Sequence, residues 1–441
     1  MAQRIPRASF RDSLYYNLVH VIPYVTQGIF TRSKFWVSFW TKVHPDPMAV
    51  KFGHYLRQKY KSPYLYINMV TTKSLMLFDL DGIRQVLDHS PFLYADAKSK
   101  RDGMSHFQPN AVTISRGEEW RDRREFNEAV LSYGHGLHPY AAPFLQVIRD
   151  EIAARNQSRQ LTWADFDDLF EKITLQIIFG KEARDDVALT RWLHQMMRES
   201  NRLVGLRKSK YFDAFYEKIR GYLGAPGASS LVALCRQVPS DPATKIENQI
   251  PHWMFAMNET LSTNTARALA AIVAHPQAEA QVRAELAQAD LTSPAGIGSL
   301  KYLEGCLQEA MRLWPTTPIL ARETVFQSVL GGETIPQGTQ VLILNNFNHR
   351  DRQTHAFADT FSPEVWMKDG VDYYFNHLSN GTQVCAGKDL LLFIGKAVLA
   401  TLLSDHRYTL DQPALDPASP MPYTFNYFDL KLNREPITAG S

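Results

Sequence analysis

The chain has 441 residues, of which 45% are hydrophobic and 21% are charged, and its formal net charge at pH 7 is +3. This length and apolar content are enough for a large buried core. So small a net charge gives no reason to expect a nucleic-acid partner. Its three cysteines lie far apart, which excludes a disulfide framework and a CxxC zinc spacing and suits a reducing compartment.

The stretch from Phe10 to Trp40 is rich in aromatic and apolar residues but is interrupted by charges and a proline. No run in it approaches the ~20 apolar residues that a membrane span needs, and it lacks the features of a secretory signal. We expect residues 1–43 to pack on or near the rest of the protein, with contact to a membrane surface as the less favoured alternative. The expected location is cytoplasmic and soluble, without a transmembrane anchor.

Residues 44–441 show no clear linker and no internal repeat, so we expect a single domain there. Two short apolar runs flank the polar turn at residues 71–73, which predicts a hairpin. Residues 89–111 read as a loop. The elements predicted up to residue 289 are a helix at 49–59, strands at 65–70 and 74–80, and helices at 81–87, 117–133, 142–155, 165–179, 189–206, 211–223, 229–237, 250–275 and 279–289.

After a further predicted helix at 302–313, the pattern changes to short β-like runs separated by Gly- and Pro-containing turns. These runs are 319–324, 328–330, 333–335 and 340–344, with a last β-like region near 424–432. The prediction is a mainly α protein with small β-sheets.

The stretch from His377 to Leu402 reads as a loop that contains Cys385 and runs into an apolar helix. Gly381 and Gly387 allow the backbone to turn sharply there or to approach a flat, bulky group. The dipole at a helix start favours a thiolate over a thiol. Such a thiolate can be a nucleophile, a zinc ligand or the axial ligand of a haem iron, although a lone cysteine of this kind is more often an inert buried residue.

Two further pairs have helical spacing. Trp120 and Arg124 are four residues apart and share a helix face. Glu309 and Arg312 are three apart and have apolar neighbours. A surface pair at that spacing is common and weak, whereas a buried pair is costly to break.

Taken together, the order and spacing of these patterns resemble the cytochrome P450 family of haem-thiolate enzymes over about residues 44–432. The resemblance implies the cytochrome P450 fold, an α+β arrangement with a triangular helical body and a minor β region. It also implies haem b (iron protoporphyrin IX) as the cofactor. The patterns that carry it are Trp120-x-x-x-Arg124, Glu259-Thr260, Glu309-x-x-Arg312, Arg322, Phe361-x-Pro363-Glu364 and Gly381-x-x-x-Cys385-x-Gly387.

The resemblance makes Cys385 the thiolate that binds the iron, where it donates electron density. Glu309 and Arg312 match a structural ion pair on the same, proximal side. Guanidinium groups suit the haem propionates because they bind carboxylates bidentately. The implied cofactor contacts are Trp120, Arg124 and Arg322 for the propionates and Gly381 and Gly387 as the loop glycines. Leu378 and Gln383 complete this set at the other loop positions that face the cofactor in the family.

On the distal side, the family usually has Ala/Gly-Gly-x-Asp/Glu-Thr, and this chain has the sequence AMNET at 256–260. Glu259 and Thr260 are therefore the implied proton relay, acting through water. Met257 stands where glycine is usual and is expected to narrow the pocket. In an alternative register Asn258 faces the iron and Glu259 points away, and in a simpler alternative the polar residues only satisfy each other.

Three positions depart from the family pattern. Leu378 replaces an aromatic residue that shields the sulfur. Gln383 replaces an arginine or histidine that binds a propionate. Val365 replaces an arginine that joins the Glu309–Arg312 pair. We expect a haem site with shifted electronics and a proximal core stabilised partly by other contacts.

The implied activity is that of a bacterial-type monooxygenase that inserts one oxygen atom from O2 into a hydrophobic small molecule by hydroxylation or epoxidation. Electrons would come from a separate ferredoxin or flavoprotein reductase docked near Arg121, Arg123 and Lys388, by charge complementarity. One alternative is a peroxide-using peroxygenase or isomerase, and another is a haem- or ligand-binding protein with little oxygenase activity. The expected pocket residues are Phe255, Ala256, Met257, Ile319 and Leu320.

Overall fold

A computed structural model describes residues 4–155, 158–202, 205–368, 370 and 373–437. It confirms the predicted fold class, mostly helix with small sheets. The helices are α1 Phe10–Tyr16, α2 Ile22–Gln27, α3 Lys34–Val43, α4 Pro45–Tyr60, α5 Leu80–Asp88, α6 Lys98–Ser105, α7 Gly117–Leu131, α8 Ala141–Ala153, α9 Trp163–Phe179, α10 Val187–Ser200, α11 Phe212–Gly224, α12 Leu231–Cys235, α13 Ile250–Phe255, α14 Ser262–Ala274, α15 Pro276–Gln288, α16 Pro294–Ser299, α17 Lys301–Leu313, α18 Asn345–Asn348 and α19 Lys388–Asp405.

Within the described ranges, ten strands form three small sheets. The strands are β1 Tyr64–Met69, β2 Thr72–Leu77, β3 Tyr94–Asp96, β4 Gln160–Thr162, β5 Ile319–Thr324, β6 Ser328–Leu330, β7 Glu333–Ile335, β8 Gln340–Leu344, β9 His406–Gln412 and β10 Lys431–Pro436. The largest sheet has the order β1-β2-β8-β5-β3, in which only β2 and β8 run parallel. The others are β4-β10-β9 and the hairpin β6-β7.

Strand β5 carries residues of the site on both of its faces. Successive side chains of a strand point to opposite sides of the sheet. Accordingly, Ile319 packs in one apolar core with residues of α4, and Leu320 packs in another with residues of α5. Arg322 follows Leu320 on the same face and lies opposite Asp96 of β3.

Helix α19, which follows Cys385, is buried over most of its length. Leu390, Ile394 and Val398 are at most 2% exposed, because the helix packs against α8, α14 and α17. A helix with apolar residues on all sides must be surrounded by protein. The segment that begins at Cys385 is therefore fixed in the main core.

The predicted central helix at 250–275 is one helical run with a change of pitch in it. Between α13 and α14, residues Ala256–Leu261 form a π-helical turn. Such single turns are rare and often mark functional sites. This turn contains Met257, where glycine is usual in the family pattern, so the helix widens here without a glycine.

Several local predictions were wrong. The predicted loop at 89–111 contains strand β3 and helix α6. Strand β9 was not predicted, and the expected β region near 424–432 is a 3-10 turn at Tyr427–Asp429 followed by β10. The helix predicted at 189–206 ends at Ser200, and residues 203–204 of that prediction lie outside the described residues.

The N-terminal segment is helical from residue 10. Helices α1 and α2 are joined by a π-helical turn, Asn17–Val21, that packs on α4. Helix α1 also contacts β1, and α3 contacts α2. Residues 1–3 of the predicted segment lie outside the described part. Among the residues that the structure describes, none of the helices is long and apolar enough to cross a bilayer.

Candidate functional site

The backbone around Cys385 is held in place by specific contacts. Gly381 has φ +65, and a Cβ there would lie 2.3 Å from the carbonyl oxygen of Leu87. The Cys385 N–H donates to the carbonyl of Leu378 over 2.9 Å. Any larger residue at 381 would therefore displace the loop from α5.

Gly387 differs from Gly381 because the protein alone does not require a glycine there. Its φ is −95, and a Cβ would meet its nearest neighbour, the side chain of Leu131, at 3.5 Å, an ordinary contact. The Gly387 N–H is hydrogen-bonded to the Cys385 thiol. In this structure Gly387 therefore contributes a backbone N–H that donates to the sulfur of Cys385.

The Cys385 thiol is half-buried and packs beside Leu378 and Ala386 against the main core. Burial raises the pKa of this thiol, while the Gly387 N–H and the charges of Arg124 and Lys388 oppose the rise. Desolvation therefore outweighs the local donors and favours the thiol over the thiolate. A bound cation at the sulfur would reverse that balance.

Arg124 contacts the Cys385 loop directly. Its guanidinium donates to the carbonyl of Val384 over 2.5 Å and to Glu128 over 2.6 Å, and it lies over the ring of Tyr133. Trp120, one turn earlier in α7, is 7% exposed and packs edge-on against Phe92. Arg124 therefore contacts the cysteine loop, while Trp120 packs against Phe92 one turn earlier in the same helix.

Arg123 does not lie on the surface, contrary to our expectation for a docking residue. It is 4% exposed and donates to the carbonyl of Ala243 and the hydroxyl of Ser115. Arg121 is exposed and Lys388 is half-buried. Only these two of the three basic residues remain near an accessible proximal surface.

Arg322 forms an ion pair that the sequence did not indicate. It is 3% exposed, and its Nη1 lies 3.1 Å from the carboxylate of Asp96, which also takes a 2.6 Å contact from Lys100. The amide of Gln383 is hydrogen-bonded to the same carboxylate, and these neighbours hold the pKa of Asp96 below its usual value against burial, which raises it. The Nε of Arg322 is buried and has no hydrogen-bond partner in the described part of the chain.

Glu309 and Arg312 form a fully buried, bidentate pair. Arg312 Nε and Nη2 donate to the two carboxylate oxygens over 2.8 and 2.6 Å, and both side chains are 0% exposed. Arg312 also donates to the carbonyls of His349, Ala358 and Thr360. Every donor of this guanidinium is used, which a buried arginine requires.

Trp366 takes the place of the missing arginine at Val365. Its indole N–H donates to Glu309 over 2.8 Å, and the Ser362 N–H donates to the other oxygen over 2.9 Å. The indole also packs edge-on against His377 at 4.9 Å between ring centroids, at the start of the cysteine loop. Trp366 therefore joins the ion pair to that loop, a contact that residue spacing did not predict.

Two cavities flank the π-helical turn of the central helix. The first, of about 150 Å³, is lined by Phe255, Glu259, Thr260 and Ile319 among others. The second, of about 530 Å³, is polar and is lined by Asn258 and Glu259 together with Asp167, Glu171 and His194. Glu259 is thus shared by both cavities.

The other residues predicted on the distal side do not share one environment. Asn258 lines only the polar cavity, so its position gives no support to the register in which it faces the iron. Met257 is 3% exposed in the main core, and Leu320 is 8% exposed. Ala256, Met257 and Leu320 line neither cavity, and neither cavity is lined by Cys385.

The carboxyl group of Glu259 has an unusual environment. Burial and the nearby Asp167 raise the pKa of Glu259 to about 7. The hydroxyl of Thr31 lies 2.8 Å from His194 Nε2, which is itself 3.7 Å from the Glu259 carboxyl. Burial lowers the pKa of His194, so this ring is a neutral hydrogen-bonding neighbour near pH 7.

The N-terminal segment lines part of both cavities, a contribution that was not predicted from the sequence. Phe30, Thr31, Arg32 and Val37 line the first cavity, and Thr31 and Arg32 also line the second. The only available signal was the aromatic composition of the segment, which is equally typical of plain packing.

Comparisons with known proteins agree with this geometry. A family model described as Cytochrome P450 matches residues 239–424, which include Glu259, the Glu309–Arg312 pair, Arg322 and Cys385. The solved structure of a retinoic acid-bound cyanobacterial CYP120A1 has the same fold, with a TM-score of 0.71 over 88% of this chain and 94% of that one at 17% identity. Residues 239–424 thus carry the sequence pattern of the cytochrome P450 family, and the fold agrees with it over most of the chain.

Curated relatives match over shorter stretches. Sugiol synthase of Salvia miltiorrhiza is 32% identical over 236 residues, which is 48% of this chain and 48% of the relative. Cyclooctat-9-en-7-ol 5-monooxygenase of Streptomyces melanosporofaciens is 28% identical over 170 residues, 37% of each protein. The chain therefore spans less than half the length of these two relatives.

Cytochrome P450 proteins bind haem b, and the residues around Cys385 fit that group. A half-buried thiol lies at the start of a buried helix, with a backbone N–H directed at it. Arg124 contacts the loop from α7. Arg322 of β5 shares the Asp96 carboxylate with Gln383 of the loop and has an unused, buried Nε donor in the described structure. Buried donors of this kind require a partner, and a propionate would supply one.

Proposed function

We propose that the protein is a haem-thiolate monooxygenase that transfers one oxygen atom from O2 to a hydrophobic small molecule. The observation that carries the proposal is the placement of Cys385, whose half-buried thiol accepts the Gly387 N–H at the start of the buried helix α19. Haem bound there through a thiolate supplies the activation of O2, with two electrons and two protons reducing the second oxygen atom to water.

The residues proposed to hold the cofactor act from three elements. Cys385 would ligate the iron, while Arg124 and Trp120 from α7 and Arg322 from β5 would contact the propionates. Gln383, whose amide is hydrogen-bonded to Asp96, would add a neutral donor to the cofactor site. Leu378 would cover the sulfur with an aliphatic side chain, and Gly381 keeps the loop against α5.

The protons for the reaction are proposed to pass through Glu259. Its carboxyl lines both the polar cavity and the cavity that contains Thr260. A group with a pKa of about 7 both accepts and releases a proton near neutral pH. Asp167, whose pKa burial and the nearby Glu171 raise to about 6, lines the polar cavity and would pass protons to Glu259.

The substrate is proposed to occupy the first cavity. Phe30, Phe255 and Ile319 supply apolar surface there, whereas ionisable groups come from Arg32, Asp46, Glu259, Arg267 and Arg350. A lipophilic molecule that also carries polar groups suits such a mixed lining. One related protein is named cyclooctat-9-en-7-ol 5-monooxygenase, which agrees with a lipophilic substrate class.

Electrons are proposed to come from a separate ferredoxin or flavoprotein. The exposed Arg121 and the half-buried Lys388 on the side of Cys385 would attract an acidic partner. Raising the salt concentration should slow reduction, because such attraction is screened.

The test is turnover of the haem-loaded protein with a ferredoxin–reductase pair under labelled O2. Lipophiles that shift the Soret band identify ligands next to the iron and supply the substrates to try. The proposal predicts one labelled oxygen atom in the product. Substrates that bind with a Soret shift but yield no labelled product would overturn it in favour of a ligand-binding role.

Glu259→Gln sharpens this test. Because O2 reduction consumes protons and hydrogen peroxide brings its own, the variant should lose O2-dependent turnover by about tenfold to a hundredfold or more. Peroxide-supported turnover should change far less. Equal losses in both assays would assign Glu259 to substrate binding or stability instead.

A further inference from the structure

Two arginines of the first cavity have no acidic partner. Arg32 precedes α3 and Arg267 lies in α14, and both side chains are half-buried. Neither forms an ion pair within the described ranges. The third arginine of the lining, Arg350, pairs with Asp359 over 2.9 Å. A guanidinium group that is shielded from water without a counter-charge is unfavourable, so a ligand that supplies the counter-charge would be stabilised here.

The two unpaired guanidinium groups meet at one short segment between α17 and β5. Arg32 Nη2 donates to the carbonyl of Thr316 over 3.2 Å. Arg267 Nη1 donates to the carbonyl of Trp314, two residues earlier, over 2.9 Å. Burial and the charge of Arg32 lower the pKa of Arg267 to about 10. Two like charges therefore lie close together at this end of the cavity.

Each of these arginines is held in position and keeps unused donors. The guanidinium carbon of Arg32 lies 5.0 Å from the centre of the Tyr24 ring, and its Nη1 donates to the carbonyl of Gly28 over 2.6 Å. That of Arg267 lies 5.3 Å from the centre of the Tyr427 ring. Arg267 Nε is buried and has no hydrogen-bond partner in the part of the chain that the structure describes. Because an arginine has five N–H donors in a rigid fork, both side chains can still bind an anion.

The carboxyl groups of the same cavity do not neutralise the two arginines. Burial and the nearby Asp167 raise the pKa of Glu259 to about 7, so this group is only partly ionised at neutral pH. Asp46 accepts the Thr424 hydroxyl over 2.6 Å, and burial raises its pKa as well. Among the described residues, neither carboxyl group forms an ion pair with either arginine. Positive charge therefore prevails where the two guanidinium groups meet.

We propose that Arg32 and Arg267 bind a carboxylate of the substrate, which makes the substrate of this site a lipophilic acid. This inference rests on the proposed function. Two guanidinium groups suit a carboxylate because they donate charge-assisted hydrogen bonds to both of its oxygens. The apolar part of the acid would pack on Phe255 and Ile319 of the same lining. Arg267 follows Thr260 by seven residues, about 10 Å along a helix, so the apolar part and not the acid group would lie beside Thr260.

These arginines are separate from the residues proposed to hold the cofactor. In the described structure the first cavity is lined by neither Arg124 nor Arg322, nor by any residue of the cysteine loop. Substitution of Arg32 or Arg267 should therefore change substrate binding and leave haem content as it is.

The experiment is binding of decanoate, 1-decanol and methyl decanoate to the haem-loaded protein, measured by titration calorimetry and by the Soret band. The three probes share a ten-carbon chain and differ in charge. Decanoate should bind roughly tenfold to hundredfold more tightly than the alcohol or the ester, since a hydrogen bond to a charged group is stronger than a neutral one. Calorimetry gives this order of affinities whether or not a probe is oxidised.

Variants of the two arginines test the contact directly. Arg32→Gln and Arg267→Gln should each weaken decanoate binding about tenfold or more. Binding of 1-decanol should not change, which shows that the cavity of each variant is intact. Arg267→Lys keeps the charge without the fork and should restore part of the preference for the acid. The matched control is Lys34→Gln, because Lys34 is exposed and lines only the second cavity, and it should bind decanoate as the unchanged chain does.

Equal affinities for the acid, the alcohol and the ester would overturn the inference, even if all three are oxidised and the proposed function stands. Tight binding of decanoate without an oxidised product would support the anion site and count against the proposed function. Equal losses in Lys34→Gln would show general attraction by positive charge instead of direct contact. Loss of haem from either glutamine variant would assign that guanidinium to a propionate, and each of these last two results would refute the carboxylate site.

Discussion

The indole N–H of Trp366 donates a hydrogen bond to the carboxylate of Glu309 over 2.8 Å. With the two donors of Arg312 and the Ser362 N–H, it completes four hydrogen bonds to a carboxylate that is 0% exposed. The chain therefore compensates for Val365 with a neutral donor instead of a third charge. A buried carboxylate without these donors would be strongly destabilising.

Replacement of Trp366 by phenylalanine should remove that donor while keeping most of the ring volume. The expected loss in the free energy of unfolding is about 1–3 kcal/mol, the cost of leaving a buried acceptor short of one hydrogen bond. Urea unfolding followed by circular dichroism measures it. Trp192→Phe is the control, because Trp192 stacks on Tyr211 without a hydrogen bond from its indole in the described structure, and it should lose clearly less.

Glu309→Gln should cost more than the loss of Trp366. The variant leaves the buried Arg312 guanidinium without its counter-charge, and breaking such a pair costs about 3–5 kcal/mol. Glu118 and Arg121 have the same i,i+3 spacing on the surface, with side chains 84% and 51% exposed. Glu118→Gln should therefore change stability by less than about 1 kcal/mol. Similar losses of stability in Glu309→Gln and Glu118→Gln would show that burial does not make the Glu309–Arg312 pair more important for stability than a surface pair.

The raised pKa of Glu259 predicts a distinct pH dependence of stability. The folded protein keeps the proton up to about pH 7, whereas the unfolded chain releases it with an ordinary glutamate pKa of about 4.3. Between those two pKa values the folded state binds more protons than the unfolded chain. The contribution of Glu259 to the free energy of unfolding therefore falls as the pH rises. The neighbours of the carboxyl are Thr31, His194 and Asp167.

Glu259→Gln does not titrate and should escape this loss. Relative to the unchanged chain, its unfolding free energy should increase from about pH 5 to about pH 8. Urea midpoints of both proteins at the two pH values test this. Parallel pH profiles would show that Glu259 titrates normally.

Arg322→Gln should weaken retention of haem. Losing one charged hydrogen bond to a propionate costs about 1.5–3 kcal/mol, which is roughly a tenfold to hundredfold faster loss of haem to a scavenging apoglobin. Lys100→Gln is the matched control, because Lys100 is the other cation on Asp96 but is not proposed to reach the cofactor. Equal acceleration in both variants would mean that disturbing Asp96, not losing a propionate contact, causes the effect.

The fold was predictable where periodicity and turn residues agree. The strand at Ile319–Thr324 and the three short strands after it have the predicted bounds, because Gly and Pro turns delimit them. Helix α6, Lys98–Ser105, was missed because its sequence KSKRDGMS has almost no apolar residue from which a period can be read. Strand β3 has three residues, too few for an alternation to be visible.

The site was predictable as motifs but not as contacts. Residue spacing on one helix placed Glu309 beside Arg312. The donor from Trp366, 57 residues away in sequence, depends on tertiary packing that local patterns do not encode. The same holds for the pairing of Arg322 with Asp96 and for Thr31 beside Glu259. Functional positions matched by the family pattern thus acquire chain-specific partners that only the structure reveals.

The most direct test of the account is the absorption spectrum of the reduced, carbon monoxide-bound protein. With Cys385 as the iron ligand, the unchanged chain should show the red-shifted Soret band typical of haem-thiolate proteins, and Cys385→Ala should abolish it. Cys235→Ala, at a cysteine 3% exposed in the core, should keep the band. A red-shifted band that survives in Cys385→Ala would contradict the assignment of this thiolate and the proposed activity built on it.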